Sequence, residues 1–276
     1  MKIDAHHHFW RYTPEEFGWI GDDLRVLRRN FYPADLVPAL AAAGVDGTVV
    51  VQARQLLEET MQLLEHANRQ PFLKGVVGWV PLADPKIARL LDELHEEKKL
   101  KGVRHVLQDE PDAYLAGPAF NAGLRAVTKR GLSYDLLVKA PQLPAVLALV
   151  DRHPSLPFVL DHIAKPVVAR TPPAAWRRDL AELARRPNVH CKFSGVVTEV
   201  PGFAWTPELL WPYFDVVLAA FGADRLMFGS DWPVCLVAAE YSHWDRFVES
   251  CVTGLAPAER TAILGGTAIK FYRLAP

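Results

Sequence analysis

The chain has 276 residues, of which half are hydrophobic and 23% are charged, and its formal net charge is −1. This composition is typical of a globular protein and provides no basic surface for nucleic acid or an anionic membrane. The three cysteines lack the spacing of a zinc ribbon, and their odd number argues against a disulfide framework. Because a strand-like run begins at once, we expect no signal segment, and no apolar run reaches the roughly 20 residues of a membrane span. We therefore expect a cytoplasmic protein with a small-molecule ligand.

Short β-branched segments alternate with longer segments of helical period, which is typical of βαβ units around a parallel sheet. The predicted strands are Lys2–Phe9, Thr48–Ala53, Leu73–Leu82, Gly102–Leu107, Ser133–Val138, Phe158–Ile163, Val189–Gly195 and Leu226–Val234. The predicted helices are Pro33–Ala43, Glu58–Gln70, Asp84–Lys99, Pro118–Arg130, Leu143–His153, Pro173–Arg186, Pro207–Phe221, His243–Val252 and Pro257–Tyr272. Eight such units predict an α/β fold with a single domain over residues 1–276, a (β/α)8 TIM-type barrel.

A doubly wound open sheet is the structural alternative. Such a sheet usually has a glycine-rich phosphate-binding turn after its first strand, whereas this chain reads HHHFW at that position. The barrel is therefore the favoured prediction, and it places the active site at the C-terminal ends of the strands.

Histidines and an aspartate lie at three of these predicted strand ends. Because side chains alternate along a strand, His6 and His8 point the same way and His7 points away. His162 ends the sixth strand and Asp231 follows the eighth. Taken one at a time, these residues could be a surface histidine run, a core histidine and a helix N-cap. Together they predict one convergent catalytic cluster.

The motifs around these residues resemble a known family. An HxH pair on strand one with an aspartate on strand eight resembles the amidohydrolase superfamily over nearly the whole chain. More narrowly, the segments DAHHHFW, GVRH, DHIAKP, KFSG and FGSDWPV are similar to the sugar-lactonase branch, which includes the L-fuconolactonases and, more distantly, the pyrone-dicarboxylate lactonases.

The resemblance implies at most one metal ion. Binuclear relatives carry a bridging lysine or glutamate on strand four and another histidine on strand five, but this chain has no lysine or carboxylate at the far end of strand four and offers Tyr134 and Asp135 on strand five. One Zn²⁺ on His6, His8 and Asp231, with His162 as a further candidate, suits the ligand types of zinc. Some lactonase relatives work without a metal, so we expect no obligatory cofactor.

For a lactone, Asp231 is expected to activate water while the histidines polarise the carbonyl. Candidate substrate-binding residues are Arg104, Gln52, Arg54, Trp79, Trp232 and Asp135. A guanidinium can fork onto substrate oxygens, and an aromatic face suits a sugar ring. Most of these candidate residues also have a simpler structural explanation. Arg104 could form a structural salt bridge, Gln52 and Arg54 could be exposed to solvent, and the tryptophans could pack in the core.

The sequence thus favours a hydrolase that opens a sugar-acid lactone such as an L-fucono-lactone. A metal-dependent decarboxylase of the same superfamily and a non-catalytic sugar- or metal-binding barrel are the alternatives. A sugar lactone is the expected partner, and a homodimer remains open as the oligomeric state. Ring size, sugar stereochemistry and the metal requirement depend on loops that sequence patterns do not describe.

Overall fold

Eight parallel strands form one sheet in the computed structural model, which describes residues 1–275, and each strand pairs with the next in the sequence. The strands are β1 (Ile3–His7), β2 (Gly47–Val51), β3 (Leu73–Gly78), β4 (Leu100–His105), β5 (Ser133–Leu136), β6 (Phe158–Leu160), β7 (Val189–Phe193) and β8 (Leu226–Phe228). The segment after β8 returns to β1, because the amide of Asp231 donates to the carbonyl of His6 (2.8 Å) and the amide of His8 donates to the carbonyl of Trp232 (2.6 Å). The predicted (β/α)8 barrel is confirmed.

Helices follow the strands in alternation. They are α1 (Pro33–Ala43), α2 (Leu57–Arg69), α3 (Ile87–Glu93), α4 (Asp112–Ala116), α5 (Pro118–Lys129), α6 (Leu143–Arg152), α7 (Ala174–Ala184), α8 (Pro207–Phe221), α9 (Tyr241–Val252), α10 (Pro257–Thr261) and α11 (Thr267–Tyr272). On α2 the apolar Leu63, Leu64 and Ala67 are buried while polar residues between them face outward. This one-sided burial is what a helix packed on the outside of a barrel requires.

Several predicted boundaries were wrong, including those of the third helix, which spans Ile87–Glu93 and not Asp84–Lys99. The strands are shorter than the apolar runs, so that the sixth ends at Leu160 and the eighth at Phe228. The predicted last helix is broken by a π-helical segment, Ala262–Gly266, where a Cβ on Gly265 would lie 2.3 Å from the carbonyl oxygen of Met1. Gly265 thus lets this segment approach the start of β1, a long-range contact that local periodicity cannot reveal.

The end of the chain packs against the inside of the barrel. Ile3, Val77, Val159 and Met227 belong to a buried cluster that includes Tyr272 of α11. Since the neighbouring Gly265 contacts the amino end of β1, the last helix covers the end of the barrel opposite the C-terminal ends of the strands.

Candidate active site

A cavity of about 330 Å³ opens at the C-terminal ends of the strands. Its walls include residues that lie just beyond the ends of six of them: His8, Ala53, Val106, Leu137, His162 and Asp231. This is the end at which the βα loops of a barrel converge, and where active sites of this fold lie. The structure therefore brings three of the four predicted catalytic residues, His8, His162 and Asp231, to the wall of one cavity.

Three buried histidines surround the carboxylate of Asp231. Oδ1 of Asp231 lies 3.3 Å from Nε2 of His8 and 3.8 Å from Nε2 of both His6 and His162. The Nε2 atoms of His6 and His8 are 3.2 Å apart, while His7 faces the other way and contacts Oγ1 of Thr48 (2.8 Å). The cluster that the sequence predicted has the geometry of a single site.

Hydrogen bonds on the far side fix two of the imidazole rings. Nδ1 of His8 lies 2.8 Å from the carbonyl oxygen of Val51, which can only accept, so His8 must donate from Nδ1. The lone pair of a neutral His8 is therefore on Nε2, facing Asp231 and His6. Nδ1 of His162 contacts Oγ of Ser194 at 2.9 Å, which holds that ring in place.

Charges in the site follow from burial. Burial lowers the pKa of His162 to about 4, and it holds the pKa of His6 well below its usual value. Burial also raises the pKa of Asp231, but the adjacent imidazoles of His162, His8 and His6 outweigh this effect and keep the pKa of the carboxyl low. At neutral pH Asp231 is therefore a carboxylate beside neutral His6 and His162, a state that can accept a proton or bind a cation.

Asp161 is a central residue of the site that the sequence analysis did not single out. Its Oδ2 accepts a hydrogen bond from Nη1 of Arg104 (3.0 Å), and its Oδ1 lies 3.1 Å from Nζ of Lys192 and 3.3 Å from Nδ1 of His6. Arg104 also donates to the carbonyl of Gln52. Burial raises the pKa of Asp161, but Lys192, His6 and Arg104 outweigh it and hold the carboxyl ionised.

Lys192 has no contact with solvent and lies between two carboxylates. Its Nζ bonds to Asp135 and contacts Asp161, and Asp135 also accepts a hydrogen bond from the hydroxyl of Tyr272 (2.8 Å). Two carboxylates and two cations thus form a buried, charge-balanced group beneath the histidines: Arg104, Asp161, Lys192 and Asp135. A buried charge is tolerated when it is paired in this way.

Most of the predicted substrate-binding residues lie outside the cavity. Gln52 and Asp135 are fully buried and support Arg104 and Lys192 from below. Arg54 is held by Glu16 and Glu59. Arg104 lines the cavity, so its position fits both a substrate contact and the salt bridge to Asp161.

The two predicted tryptophans pack elsewhere. The indole N–H of Trp79 donates to Nδ1 of His105 (3.2 Å), and the ring of Trp232 packs against Phe9 and Phe31. Their places on the cavity wall are taken by Trp10 and by Trp19, which lies in the long loop between β1 and α1 and is half exposed. Trp19 is outside any predicted strand, so strand-end reasoning could not find it.

The donor set suits a divalent metal ion. His6, His8 and Asp231 each offer one buried ligand atom, and all three atoms lie within 4.8 Å of one another. His6, Asp161 and His162 form a second such group. A carbonyl behind His8 that sets the lone pair on Nε2 is the usual support of a metal-bound imidazole. Nη1 of Arg104 lies 3.3 Å from Nε2 of His6, so it would compete with a metal ion for the lone pair of that nitrogen.

An eight-stranded parallel barrel with an HxH pair, a third histidine and an aspartate at its rim defines a hydrolase barrel of the amidohydrolase type. Residues 3–274 match the family model described as Amidohydrolase, and the chain belongs to this family.

Individual relatives cover nearly the whole chain. It is 40% identical to the L-fucono-1,5-lactonase of Burkholderia ambifaria and 41% identical to that of Burkholderia multivorans, over 99% of this chain and 96% of each relative. A crystal structure of an amidohydrolase from Burkholderia multivorans with bound zinc covers both chains completely, with a TM-score of 0.96 and 42% identity. Within residues 1–275, no helix is both long and apolar enough to cross a membrane.

Proposed function

We propose that this protein is a carboxylic-ester hydrolase that opens a sugar-acid lactone, such as an L-fucono-lactone, to the open-chain acid. The observation that carries the proposal is the ionised Asp231 among three buried histidines, next to a cavity large enough for one sugar ring. The two L-fucono-1,5-lactonases with about 40% identity support the substrate class. The eight strands of one sheet support a single domain over residues 1–276.

Asp231 would act as the general base. It accepts a proton from water as the water oxygen attacks the ring carbonyl, which gives a tetrahedral oxyanion. When the bond from the carbonyl carbon to the ring oxygen breaks, the protonated Asp231 returns that proton to the departing alkoxide. The product is a hydroxy acid, which ionises at neutral pH.

The oxyanion needs a hydrogen-bond donor, and His8 is a poor one, because its proton is committed to the carbonyl of Val51. Arg104 at the cavity wall is the better candidate. Its position is fixed in advance by Asp161 and by the carbonyl of Gln52, so little reorganisation is needed as charge develops.

We further infer that His6, His8 and Asp231 hold one Zn²⁺, with His162 next to them. A zinc ion bound there would supply Lewis-acid polarisation of a substrate oxygen and acidify a bound water. The buried Nε2 atoms of His6 and His8, 3.2 Å apart, support this assignment, since a cation between two lone pairs relieves their repulsion. A lactone has a better leaving group than an amide, and we therefore do not expect the metal to be obligatory.

The test is a pH-indicator hydrolysis assay on a panel of aldonolactones with wild type and Asp231→Asn. Wild type should open at least one lactone rapidly, and the variant should fold normally while turnover falls about 10²- to 10⁴-fold. Asp215→Asn, which changes an exposed carboxylate on α8, should behave like wild type. Retained hydrolysis in Asp231→Asn would remove this residue as the base.

A further inference from the structure

Lys165 lines the same cavity as Asp231 and His162, yet it has no part in the proposed reaction steps. It is half buried, and within residues 1–275 no carboxylate oxygen lies within 4.0 Å of its ammonium group. The other cation on the cavity wall is Arg104, whose guanidinium is held by Asp161 and Gln52. Lys165 is therefore the lining cation whose donors are free for a ligand.

The backbone around Lys165 is unusual. Four consecutive residues without a glycine have left-handed dihedral angles, with φ of 51° at His162, 51° at Ile163, 63° at Ala164 and 45° at Lys165. Such a conformation is costly for any residue with a Cβ and especially for β-branched isoleucine. Strain of this kind is kept where a structure needs side chains in particular places.

Neighbouring contacts hold the turn from several sides. The indole N–H of Trp176 donates to the carbonyl of Ile163 (2.8 Å), and Nδ1 of His162 contacts Ser194. The amide of Val168 donates to the carbonyl of Glu199 (3.1 Å). The turn sends Asp161 below the cavity while His162 and Lys165 line its wall.

The residue type at position 165 is informative. Glycine fits a left-handed position without strain, and asparagine tolerates it better than lysine. A lysine there adds conformational cost and gains no ion pair, so the fold alone does not account for it. The charge also acts at a distance, because burial raises the pKa of Glu199 and Lys165 opposes that effect.

We propose that Lys165 is a ligand-binding residue of the active site, whose ammonium group donates hydrogen bonds to oxygen atoms of the lactone and of the aldonate formed from it. An ammonium offers three donors and a full charge, which suits hydroxyl oxygens and binds a carboxylate more strongly. This inference rests on the proposed lactonase function for the lactone but not for the aldonate, whose binding can be measured without turnover.

The experiment measures KM and kcat for the lactone and, by calorimetry, the Kd of the open-chain aldonate. Lys165→Met should raise the aldonate Kd at least tenfold and raise KM, whereas Lys165→Arg should recover part of both. Lys165→Gly is the second variant, because glycine relieves the left-handed strain. It should keep the thermal stability of wild type and still bind the aldonate weakly.

Arg273 provides the matched control. It is also a cation at a left-handed position (φ 50°), but it contacts Gly131 at the opposite end of the barrel. Arg273→Met and Arg273→Gly should leave KM and the aldonate Kd unchanged. Folded Lys165 variants with wild-type KM and aldonate Kd would overturn the proposal, and so would a wild type that does not bind the aldonate. If wild type binds the aldonate through Lys165 but hydrolyses no lactone, the binding role stands and the proposed reaction fails.

Discussion

Nζ of Lys192 lies 3.2 Å from Nδ1 of His6, inside the barrel and away from all solvent. The same ammonium is bonded to Asp135 and lies 3.1 Å from Asp161, so it balances two buried carboxylates. A single charge beneath the cavity thus helps to orient His6 and balances the buried carboxylates of the barrel interior.

Replacing Lys192 by methionine should destabilise the protein by about 3–5 kcal/mol, because the change leaves buried carboxylates without their counter-charge. The double variant Asp135→Asn/Lys192→Met removes one carboxylate and one cation. It should therefore lose less stability than Lys192→Met alone. Urea unfolding of wild type, both single variants and the double variant measures the coupling. If the stability losses of the two single variants simply add in the double variant, Asp135 and Lys192 are not energetically coupled.

Gly195 approaches the site too closely for any other residue. Its φ is +65°, and a Cβ there would lie 2.5 Å from Nδ1 of His162 and 2.9 Å from Oδ2 of Asp231. Gly195→Ala should therefore displace both side chains and lower kcat/KM about 100-fold, the effect expected of a misplacement near 1 Å. Gly254→Ala is the control, since nothing lies within 4 Å of its Cβ position. Steady-state kinetics on both variants checks the prediction.

Zinc should stabilise wild type. An ion that binds only the folded state raises the free energy of unfolding, by about 2.7 kcal/mol at 100 times its Kd. Added zinc should raise Tm, and chelation should reverse the change. His8→Ala should lose most of the zinc content and the shift, whereas His95→Ala, on the exposed surface after α3, should retain both. A Tm shift of equal size in His8→Ala would place the ion elsewhere.

Because the side chain of His190 is largely buried, we expect the stability of the protein to depend on pH. Burial, together with Arg225, lowers the pKa of His190 to about 4. Between this value and about 6.5, the unfolded chain binds a proton that the folded protein excludes, so stability falls as pH falls through this window. Since the side chain is partly exposed, we expect a loss of about 1–3 kcal/mol from this residue.

The measurement is the free energy of unfolding at pH 7.5 and pH 4.5. His190→Gln should show a smaller difference than wild type, with the rest of the difference coming from the other buried histidines. His95→Gln should match wild type. An unchanged difference in His190→Gln would show that position 190 binds its proton equally in both states.

The sequence predicted the barrel, and it predicted that the histidines of strands one and six would lie near Asp231, because both depend on local regularities. Strand alternation placed His6 and His8 together and His7 apart, as the structure has them. The same rule failed after Leu160, where the strand ends and the left-handed turn begins. Alternation assigns Asp161 and His162 to opposite faces, whereas the turn brings both into the site.

The substrate wall was less predictable because it is built from loops. Trp79 was assigned to a strand that in fact ends at Gly78, and its indole bonds to His105. Trp19 lies about ten residues beyond β1 and reaches the cavity only through the path of its loop. No periodicity or spacing encodes that path.

The barrel is closed between β8 and β1 by the main chain of Asp231 and Trp232, not by a regular strand. The carboxylate proposed as the base is therefore carried by the peptide that completes the ring. Opening this seam would separate the carboxylate from His6 and His8, so the slow exchange of the His8 and Asp231 amide protons would report on closure of the ring and assembly of the site at once. A circular permutant with new termini between β8 and Asp231 should lose both the slow amide exchange and the assembled site. A permutant with new termini in a surface loop, such as the loop between α9 and α10, should keep both.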